Sequence, residues 1–538
     1  MPVSPSRRHT PAALTFLILT FAACGMATLL ALLPAAGHDQ MWLLYAARLT
    51  LHGAPLYGPQ VFETNPPIIL WLSSVPAALS SLTHIPDTAL GKLFTIALIA
   101  AIAAVCLNLL RKLRATSNPA GLTPTVLYAL AFAYITIFAV MPARDLGQRD
   151  DFLILFILPY VFAAAVRAEG LAIPRLQAIL IGILALAGVA LKPHQLLIPI
   201  AIELTLLIRR RASIRPLFRP EILAMFLSGL AFLAAIKLFA PLYFTTILPL
   251  VGDTYWAYHM LTFAQLLGQS IQLHILLLVD LALFFTIRPR QTLTTILLIA
   301  GLAATLAFYL QGTGWYYQQL PALSLLSLAL VFLLLDLADR NHLTLPRWSP
   351  TAAAALALLA LALTAHFMNY PFTAARSFPV DSPDPAFFTG LAPGTPVMTI
   401  APNIDATIQP IFKYHLTLGQ RYPTFLMLPA ILRSEDPQSG PLTKHLTPTR
   451  IAQLDHIQRT DMIEDLHRWQ PRLILVQRCQ DPSVHCQVLE DRHDDLLAWF
   501  LRDPIFVKLW KNYTFSMSRG EFDAYTLTTP SSGVALPH

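Results

Sequence analysis

The sequence predicts a mainly α-helical, polytopic transmembrane bundle followed by a small C-terminal α/β domain. Hydrophobic residues make up 55% of the 538 residues, whereas charged residues make up only 12%. Several apolar runs exceed the roughly 18 residues that suggest a membrane helix. The net charge of +7 comes from Lys and Arg beside apolar runs, which the positive-inside rule explains better than nucleic-acid binding. We therefore expect membrane lipids, and no nucleic acid, among its partners.

Eleven apolar runs are candidate membrane spans. The first run follows Arg7-Arg8 and is longer than the usual core of a signal peptide, so we interpret it as a retained helix. The alternative is a cleaved signal ending near Ala35-Ala36-Gly37. The candidate spans are 12–34, 89–110, 122–142, 151–167, 175–191, 194–209, 222–240, 268–287, 291–311, 320–337 and 351–369.

The distribution of basic residues predicts the orientation of these spans. With the N-terminus in the cytoplasm, sixteen Lys and Arg residues fall in cytoplasmic segments and four fall in outer loops. The four are Arg48, Arg144, Arg149 and Lys192. The sixteen are Arg7, Arg8, Arg111, Lys112, Arg114, Arg167, Arg175, Arg209, Arg210, Arg211, Arg215, Arg219, Arg288, Arg290, Arg340 and Arg347.

Two apolar segments near the N-terminus are interpreted as surface helices. If residues 66–83 crossed the membrane, the charge bias would reverse on one side of them. We place them, together with residues 40–52, on the outer face. The first outer loop then covers 35–88. We expect a transmembrane domain over 1–369 and a soluble periplasmic domain over 370–538, in a bacterial inner membrane.

The C-terminal segment has the short periodic runs of an α/β domain. Residues 396–400 and 472–477 predict buried strands, and 448–468 and 490–502 predict helices. Residues 506–513 and 522–527 predict a hairpin that turns through Arg519-Gly520. Cys479 and Cys486 are candidates for a disulfide if this domain lies outside the cytoplasm, a pairing that the sequence leaves open.

Two acids in the first outer loop are candidate catalytic residues. Asp39 directly follows the first span and is a candidate general base for a hydroxyl or amine nucleophile; the alternative is an N-cap of the next helix. Glu63 is a candidate for orienting a substrate hydroxyl or supporting Asp39. Its alternative setting is a helix start, in which Asn65 is the cap and Pro66 the first residue.

The segment 144–151 is the most densely charged stretch of the membrane half. Arg144 and Arg149 are candidates for binding a phosphate through charge-assisted hydrogen bonds, with Asp150 beside them. The alternative is a self-paired loop in which Arg149 binds Asp150 or Asp151. Both interpretations place charge on the predicted outer face.

Three further residues are candidates for the same site. Lys192 either extends its ammonium to the membrane surface or meets a phosphate with Arg149. His194 is a candidate donor to that phosphate or a structural histidine. Tyr316 lies in an aromatic run which, like the aromatics after Asp253, fits either a membrane-interface belt or a surface for stacking on sugars.

The order of the motifs resembles the GT-C superfamily of polyprenyl-phosphate-dependent glycosyltransferases. The resemblance covers about residues 10–370 and is nearest to the protein O-mannosyltransferase and lipid A aminoarabinose transferase branch. It rests on His38-Asp39-Gln40, Tyr45-Ala46-Ala47-Arg48, Gly53, Leu56-Tyr57, and Phe62-Glu63 with Pro66-Pro67. The resemblance implies that Asp39 is catalytic. This chain has Asp39-Gln40 where such families often have Asp-Glu.

The function expected from these observations is transfer of a sugar from a polyprenyl-phosphate donor to an envelope lipid, glycan or protein. Asp39 would be the base, and Arg144, Arg149, Lys192 and His194 would hold the lipid phosphate. A cofactor is not required by this chemistry, and a divalent metal ion stays open. The alternatives are a lipid-linked-sugar flippase or other transporter, and a non-catalytic envelope assembly protein.

Overall fold

The structure is a computed structural model. It describes residues 10–32, 36–117, 122–209, 218–258, 261–289, 291–340, 382–436, 444–486, 488–489 and 492–528. The described chain is mainly helical. Its helices up to residue 340 are α1 (Pro11–Leu32), α2 (His38–Leu51), α3 (Ile68–Thr83), α4 (Asp87–Ser117), α5 (Pro124–Ile135), α6 (Arg149–Ala168), α7 (Arg175–Leu191), α8 (Leu197–Arg209), α9 (Pro220–Phe239), α10 (Leu248–Thr254), α11 (Phe263–Gln269), α12 (Ile271–Ile287), α13 (Thr292–Gln311) and α14 (Tyr316–Arg340).

Six helices within the described ranges are long and apolar enough to cross a membrane. They are α1, α4, α6, α9, α13 and α14, and α11 with α12 would make a seventh across an 81° bend. Three other predicted spans fall on shorter helices, α5, α7 and α8. The prediction of several helices with the length and apolar composition of membrane spans is therefore confirmed, while the count of eleven stays a prediction. The predicted span 351–369 lies outside the described residues.

The chain forms two compact units. The first unit comprises Met1–Gln40, Val75–Ala235 and Phe263–Ser377. The second unit comprises Met41–Ser74, Ile236–Thr262 and Phe378–His538. The predicted boundary at residues 369 and 370 lies outside the described residues. The second unit thus contains two segments from the first half of the chain in addition to the C-terminal segment.

Helix α6 is the core of the first unit. It is buried from Arg149 to Val166 and packs against α4, α7, α13 and α14. Glycine permits the close approach of α7, because a Cβ on Gly188 would lie 2.8 Å from the Leu153 carbonyl oxygen. A helix that is apolar on every side can be buried in this way. Its polar first turn, at Arg149 and Asp150, is consequently held inside the unit.

A mixed five-stranded sheet organises the C-terminal part of the second unit. Its order is β2-β1-β3-β5-β4, with β1 parallel to β2 and β3, and β5 antiparallel to β3 and β4. The fully buried β3 is the centre, as its apolar sequence predicts. The strands are β1 (Pro396–Ile400), β2 (Thr417–Leu418), β3 (Leu473–Gln477), β4 (Tyr513–Arg519) and β5 (Phe522–Leu527).

The helices of this part differ from the predictions in two places. Residues 506–510 are helical rather than extended, because the Asp503 carboxylate accepts the amides of Ile505 and Phe506 and Pro504 begins the helix. The predicted helix 490–502 is reduced to a short one. The helices are α15 (Ile404–Lys413), α16 (Leu428–Glu435), α17 (Pro448–Trp469), α18 (Leu496–Phe500) and α19 (Pro504–Trp510).

Hydrogen bonds and an ion pair tie the early segments of the second unit to its C-terminal part. The Leu418 amide donates to the Tyr45 hydroxyl at 3.0 Å, and Tyr258 donates to the Phe425 carbonyl at 2.7 Å. The Asp253 carboxylate forms an ion pair with Arg450 on α17, at a distance of 2.8 Å. Tyr258 and Asp253 therefore connect this early segment to the C-terminal part of the same unit.

Cys479 and Cys486 form a disulfide, with 5.5 Å between their Cα atoms. Replacing both with Ser should lower the free energy of unfolding of the second unit by about 2 kcal/mol, because the bond restricts the unfolded chain. The measurement is thermal unfolding of the full-length protein, in which protease digestion detects the unfolded fraction at each temperature. Cys24→Ser, which removes an exposed thiol in α1, is the control. Equal unfolding temperatures for the double variant and the control would contradict the prediction.

Candidate active site

Charged side chains from three helix ends meet in the first unit. Asp39 lies in the first turn of α2, Arg149 and Asp150 begin α6, and Lys192 directly follows α7. Two ion pairs connect them. The Arg149 guanidinium lies 2.8 Å from the Asp39 carboxylate, and the Lys192 ammonium lies 2.7 Å from the Asp150 carboxylate. The structure therefore brings together four of the predicted site residues.

The position of Asp39 depends on the turn that precedes α6. The Gly37 amide donates to the Arg144 carbonyl at 3.0 Å, and a Cβ on Gly37 would lie 2.9 Å from Gln148 Nε2. Helix α2 begins at His38, so Asp39 is inside the first turn rather than at the cap. The predicted N-cap alternative is therefore wrong. Its carboxylate accepts instead from Arg149, 110 residues away in the sequence.

The electrostatic surroundings keep Asp39 ionised. Burial by itself would raise the pKa of Asp39, but the charge of Arg149 and then that of His38 outweigh it. The pKa is held below its usual value of 3.8. The Asp39 side chain keeps 17% of its surface exposed, whereas that of Arg149 keeps 9%. Asp39 is thus a carboxylate at neutral pH with part of its surface open to an incoming group.

The second ion pair is more deeply buried. Asp150 has no exposed surface, and Lys192 also donates to Gln311 Oε1 at 2.9 Å. The Lys192 ammonium lies 5.2 Å from the centre of the Tyr317 ring, a cation–π contact. Lys192 therefore points into the unit, and the alternative that it merely extends to the membrane surface does not hold. Segment 144–151 likewise forms ion pairs outside itself, because Arg149 binds Asp39 and Asp150 binds Lys192.

Arg144 is the least engaged cation of the predicted set. Its side chain is 24% exposed, and its Nε lies 4.0 Å from the Asp145 carboxylate, at the limit of an ion pair. The preceding Ala143 has a φ of 51°, which is rare outside glycine. The turn thus places a partly exposed guanidinium three residues beyond Met141, whose carbonyl oxygen accepts from the Tyr316 hydroxyl at 3.0 Å.

His194 lies in a short turn, Pro193–Leu196, directly after Lys192. Its ring is half-buried, and its Nε2 has no hydrogen-bond partner within the ranges that the structure describes. A buried ring nitrogen without a partner among the described residues is a candidate contact for a bound group. The predicted position of His194 beside Lys192 is consistent with a shared ligand.

Glu63 belongs to the second unit, and its carboxylate is fully engaged there. Oε2 accepts from the Trp42 indole nitrogen at 2.6 Å, and Oε1 accepts from the amides of Thr64 at 2.7 Å and Asn65 at 2.8 Å. The Asn65 side chain also donates to Oε1. Helix α3 begins at Ile68, two residues after the start that the alternative placed at Pro66. These bonds fix the loop, and the predicted catalytic role of Glu63 stays a prediction.

Sequence reasoning missed four glutamines that lie on the segments forming this site. Gln40, Gln148 and Gln195 are buried, and Gln311 binds Lys192. The glutamine side chain is neutral, so these residues are not part of the charge pattern that indicated the site. Their position in the sequence indicates a polar site. Each glutamine lies at or just beyond an end of an apolar run, and contact with lipid does not explain an amide there.

Within the described ranges, no group of three or more His, Cys, Asp or Glu side chains is arranged to hold a metal ion. No protein-family model and no curated protein matches this chain.

Gly147 controls how tightly the turn before α6 packs. Its φ is 88°, and a Cβ would lie 2.5 Å from Gln40 Nε2 and 2.7 Å from Thr95 Oγ1. Gly147→Ala should therefore lower the free energy of unfolding by about 1–3 kcal/mol through backbone strain and overpacking. Thermal unfolding of the full-length protein measures this.

The matched control is Gly170→Ala. Gly170 has a φ of 76°, but nothing lies within 4 Å of the added Cβ. This control separates backbone strain, which both variants share, from the displacement of Gln40 and Thr95. An equal loss of stability in both variants would show that the packing of Gly147 against α2 and α4 contributes nothing.

Proposed function

We propose that the protein is an inverting membrane glycosyltransferase that transfers a sugar from a polyprenyl-phosphate donor to an envelope lipid, glycan or protein. The observation that carries the proposal is the partly exposed Asp39 carboxylate, paired with Arg149 next to the buried Asp150–Lys192 pair. Buried charges at the ends of membrane helices are costly and usually mark a functional site.

This set of groups fits displacement at a sugar carbon that bears a phosphate. The acceptor hydroxyl forms a bond to the anomeric carbon and gives its proton to Asp39. The bond from that carbon to the phosphate oxygen breaks, and its electron pair leaves with the phosphate. The leaving group needs no proton, so one base and nearby cations are sufficient.

The cations of the site have distinct roles in this proposal. Arg149 and Lys192 stabilise the phosphate as its charge increases, and the partly exposed Arg144 contacts it from the turn before α6. Asp150 holds Lys192 in place. His194 donates a hydrogen bond to the same phosphate, and Tyr316 borders it. Arginine is suited to this task because its planar guanidinium makes two parallel hydrogen bonds to a phosphate.

The Asp39–Arg149 pair gives the reaction an order. A phosphate competes with Asp39 for the Arg149 guanidinium, since both are anions that it can bind. When the phosphate takes this partner, the pKa of Asp39 rises and the carboxylate becomes a stronger base. Donor binding therefore precedes activation of the acceptor, and the acceptor meets a strong base only when the donor is in place.

The proposed location is a bacterial inner membrane, with the N-terminus in the cytoplasm and the site at the outer face. The excess of Lys and Arg in the predicted cytoplasmic segments supports this orientation. The Cys479–Cys486 disulfide supports a periplasmic location for the C-terminal part, because disulfides persist in oxidising compartments. The donor would then be available from the membrane itself.

Transport of a lipid-linked sugar is the second candidate. Helices α11 and α12 meet at an 81° bend at Ser270, and broken helices are typical of transporters. The bend carries polar residues, since Ser270 and His274 are hydrogen-bonded to each other and His274 to Tyr309. Transport would not require ionised Asp39 to accept a proton.

Asp39→Asn should reduce transfer by at least about 100-fold, because an amide cannot accept the proton. The measurement is transfer of label from radiolabelled polyprenyl-phosphate sugars to envelope extract, with full-length protein in membranes at matched expression. Asp253→Asn, which alters an arginine-paired acid of the second unit, should transfer normally. Near-normal transfer by Asp39→Asn would remove Asp39 from the mechanism, and no transfer by wild type with a broad donor panel would favour transport.

Arg149→Gln should move the acid limb of kcat/KM to higher pH. Arg149 lowers the pKa of Asp39, so its removal raises that pKa, and Asp39 is then protonated at a higher pH than in the wild type. A pH profile of kcat/KM measures this in the free enzyme. Arg450→Gln, which breaks the ion pair with Asp253, should leave the limb in place. An acid limb shared by all three proteins would contradict the assignment.

A further inference from the structure

Several buried amide atoms in the first unit have no hydrogen-bond partner among the described residues. Gln195 has no exposed surface, and neither its Nε2 nor its Oε1 is hydrogen-bonded. The Nε2 of Gln311 is in the same condition. Burying a polar group without a partner destabilises a protein, and such groups in native structures call for an explanation.

These amides belong to the segments that hold Lys192. Gln195 lies in the turn after Lys192, and its backbone amide donates to the Lys192 carbonyl at 3.0 Å. Gln311 Oε1 accepts from the Lys192 ammonium, and its helix α13 packs against the Pro193–Leu196 turn. Asp150, the ion-pair partner of Lys192, has an Oδ1 without a hydrogen-bond partner in the described chain.

The unsatisfied atoms are of both kinds. Gln195 Nε2 and Gln311 Nε2 are donors, whereas Gln195 Oε1 and Asp150 Oδ1 are acceptors. A phosphate diester offers only acceptors, so it would leave Gln195 Oε1 and Asp150 Oδ1 unsatisfied. A ring with several hydroxyl groups offers donors and acceptors side by side, and it can satisfy both kinds at once.

We propose that Gln195, Gln311 and Asp150 form a subsite for the hydroxyl groups of a sugar ring, adjacent to the cations that hold the phosphate. This subsite rests on the proposed function. The sugar is that of the lipid-linked donor. Lys192 contacts both Asp150 and Gln311, and in the proposed function Lys192 also binds the phosphate of the donor, which is attached to this sugar. A glycan acceptor has the same hydroxyl chemistry, and the experiment separates the two.

The test measures binding of two kinds of probe to full-length protein in detergent. One is undecaprenyl phosphate, and the other is undecaprenyl phosphate carrying glucose, galactose or mannose. The wild type should bind at least one sugar-bearing lipid about tenfold more tightly than the lipid phosphate alone. Gln195→Leu should reduce this preference by about tenfold and leave binding of undecaprenyl phosphate unchanged. Gln311→Leu should reduce the preference by about tenfold as well, and because it also removes the hydrogen bond to Lys192, the ratio of the two affinities is its readout.

The matched control is Gln458→Leu. Gln458, on α17 of the second unit, is likewise fully buried with neither amide atom hydrogen-bonded among the described residues. Gln195→Leu should raise the melting temperature of the ligand-free protein, because it removes an unsatisfied amide. Gln458→Leu should leave the sugar preference unchanged. A lower melting temperature for Gln195→Leu would show that ordered water satisfies this amide, which would overturn the subsite.

Other outcomes separate the subsite from the proposed function. If the wild type transfers sugar but the two leucine variants keep its KM for the donor, the subsite is wrong and the function stands. If the variants raise only the KM for the acceptor, the donor assignment is overturned. If the wild type shows no sugar preference with any of the three lipids, the subsite fails. If it neither binds these lipids nor transfers label, the proposed function fails as well.

Discussion

The rest of the first unit depends on one constraint, which is that the charged start of α6 is buried. An apolar helix that is enclosed on every side carries its first turn into the interior, and Arg149 and Asp150 have to find partners there. Asp39 and Lys192 supply them from two other segments. Removal of one partner would leave an uncompensated buried charge, which costs far more than loss of a surface ion pair. The requirement therefore fixes the start of α2 and the end of α7 relative to α6.

The same pairing explains why the site can be both stable and responsive. The two ion pairs neutralise the charges of Arg149 and Lys192, so neither cation is isolated inside the unit. In the proposed function, a phosphate takes the place of the Asp39 carboxylate as the partner of the Arg149 guanidinium. The Gln195 amide and the Nε2 of Gln311 differ from these ion pairs, because they have no hydrogen-bond partner among the described residues. Stability and function therefore make different demands on neighbouring residues.

Much of the helical architecture could be predicted from the sequence, because long apolar runs have few alternatives in a membrane. The pairing of Asp39 with Arg149 could not be predicted, since no local pattern joins residues 110 positions apart. Gln195 and Gln311 do not stand out in the sequence, because an amide carries no charge. Aromatic and β-branched residues favour a strand over residues 506–510, but the Asp503 cap and Pro504 begin a helix there.

The composition of the second unit has a consequence for biosynthesis. Tyr45 is bound by Leu418, 373 residues later in the chain. At ribosomal rates of about 5–20 residues per second, Leu418 is synthesised about 20–75 s after Tyr45. During this interval the early segment, with Trp42 and Phe62, exposes aromatic surface that a chaperone or the membrane interface has to cover. The order of synthesis thus makes completion of this unit a late event that depends on the whole chain.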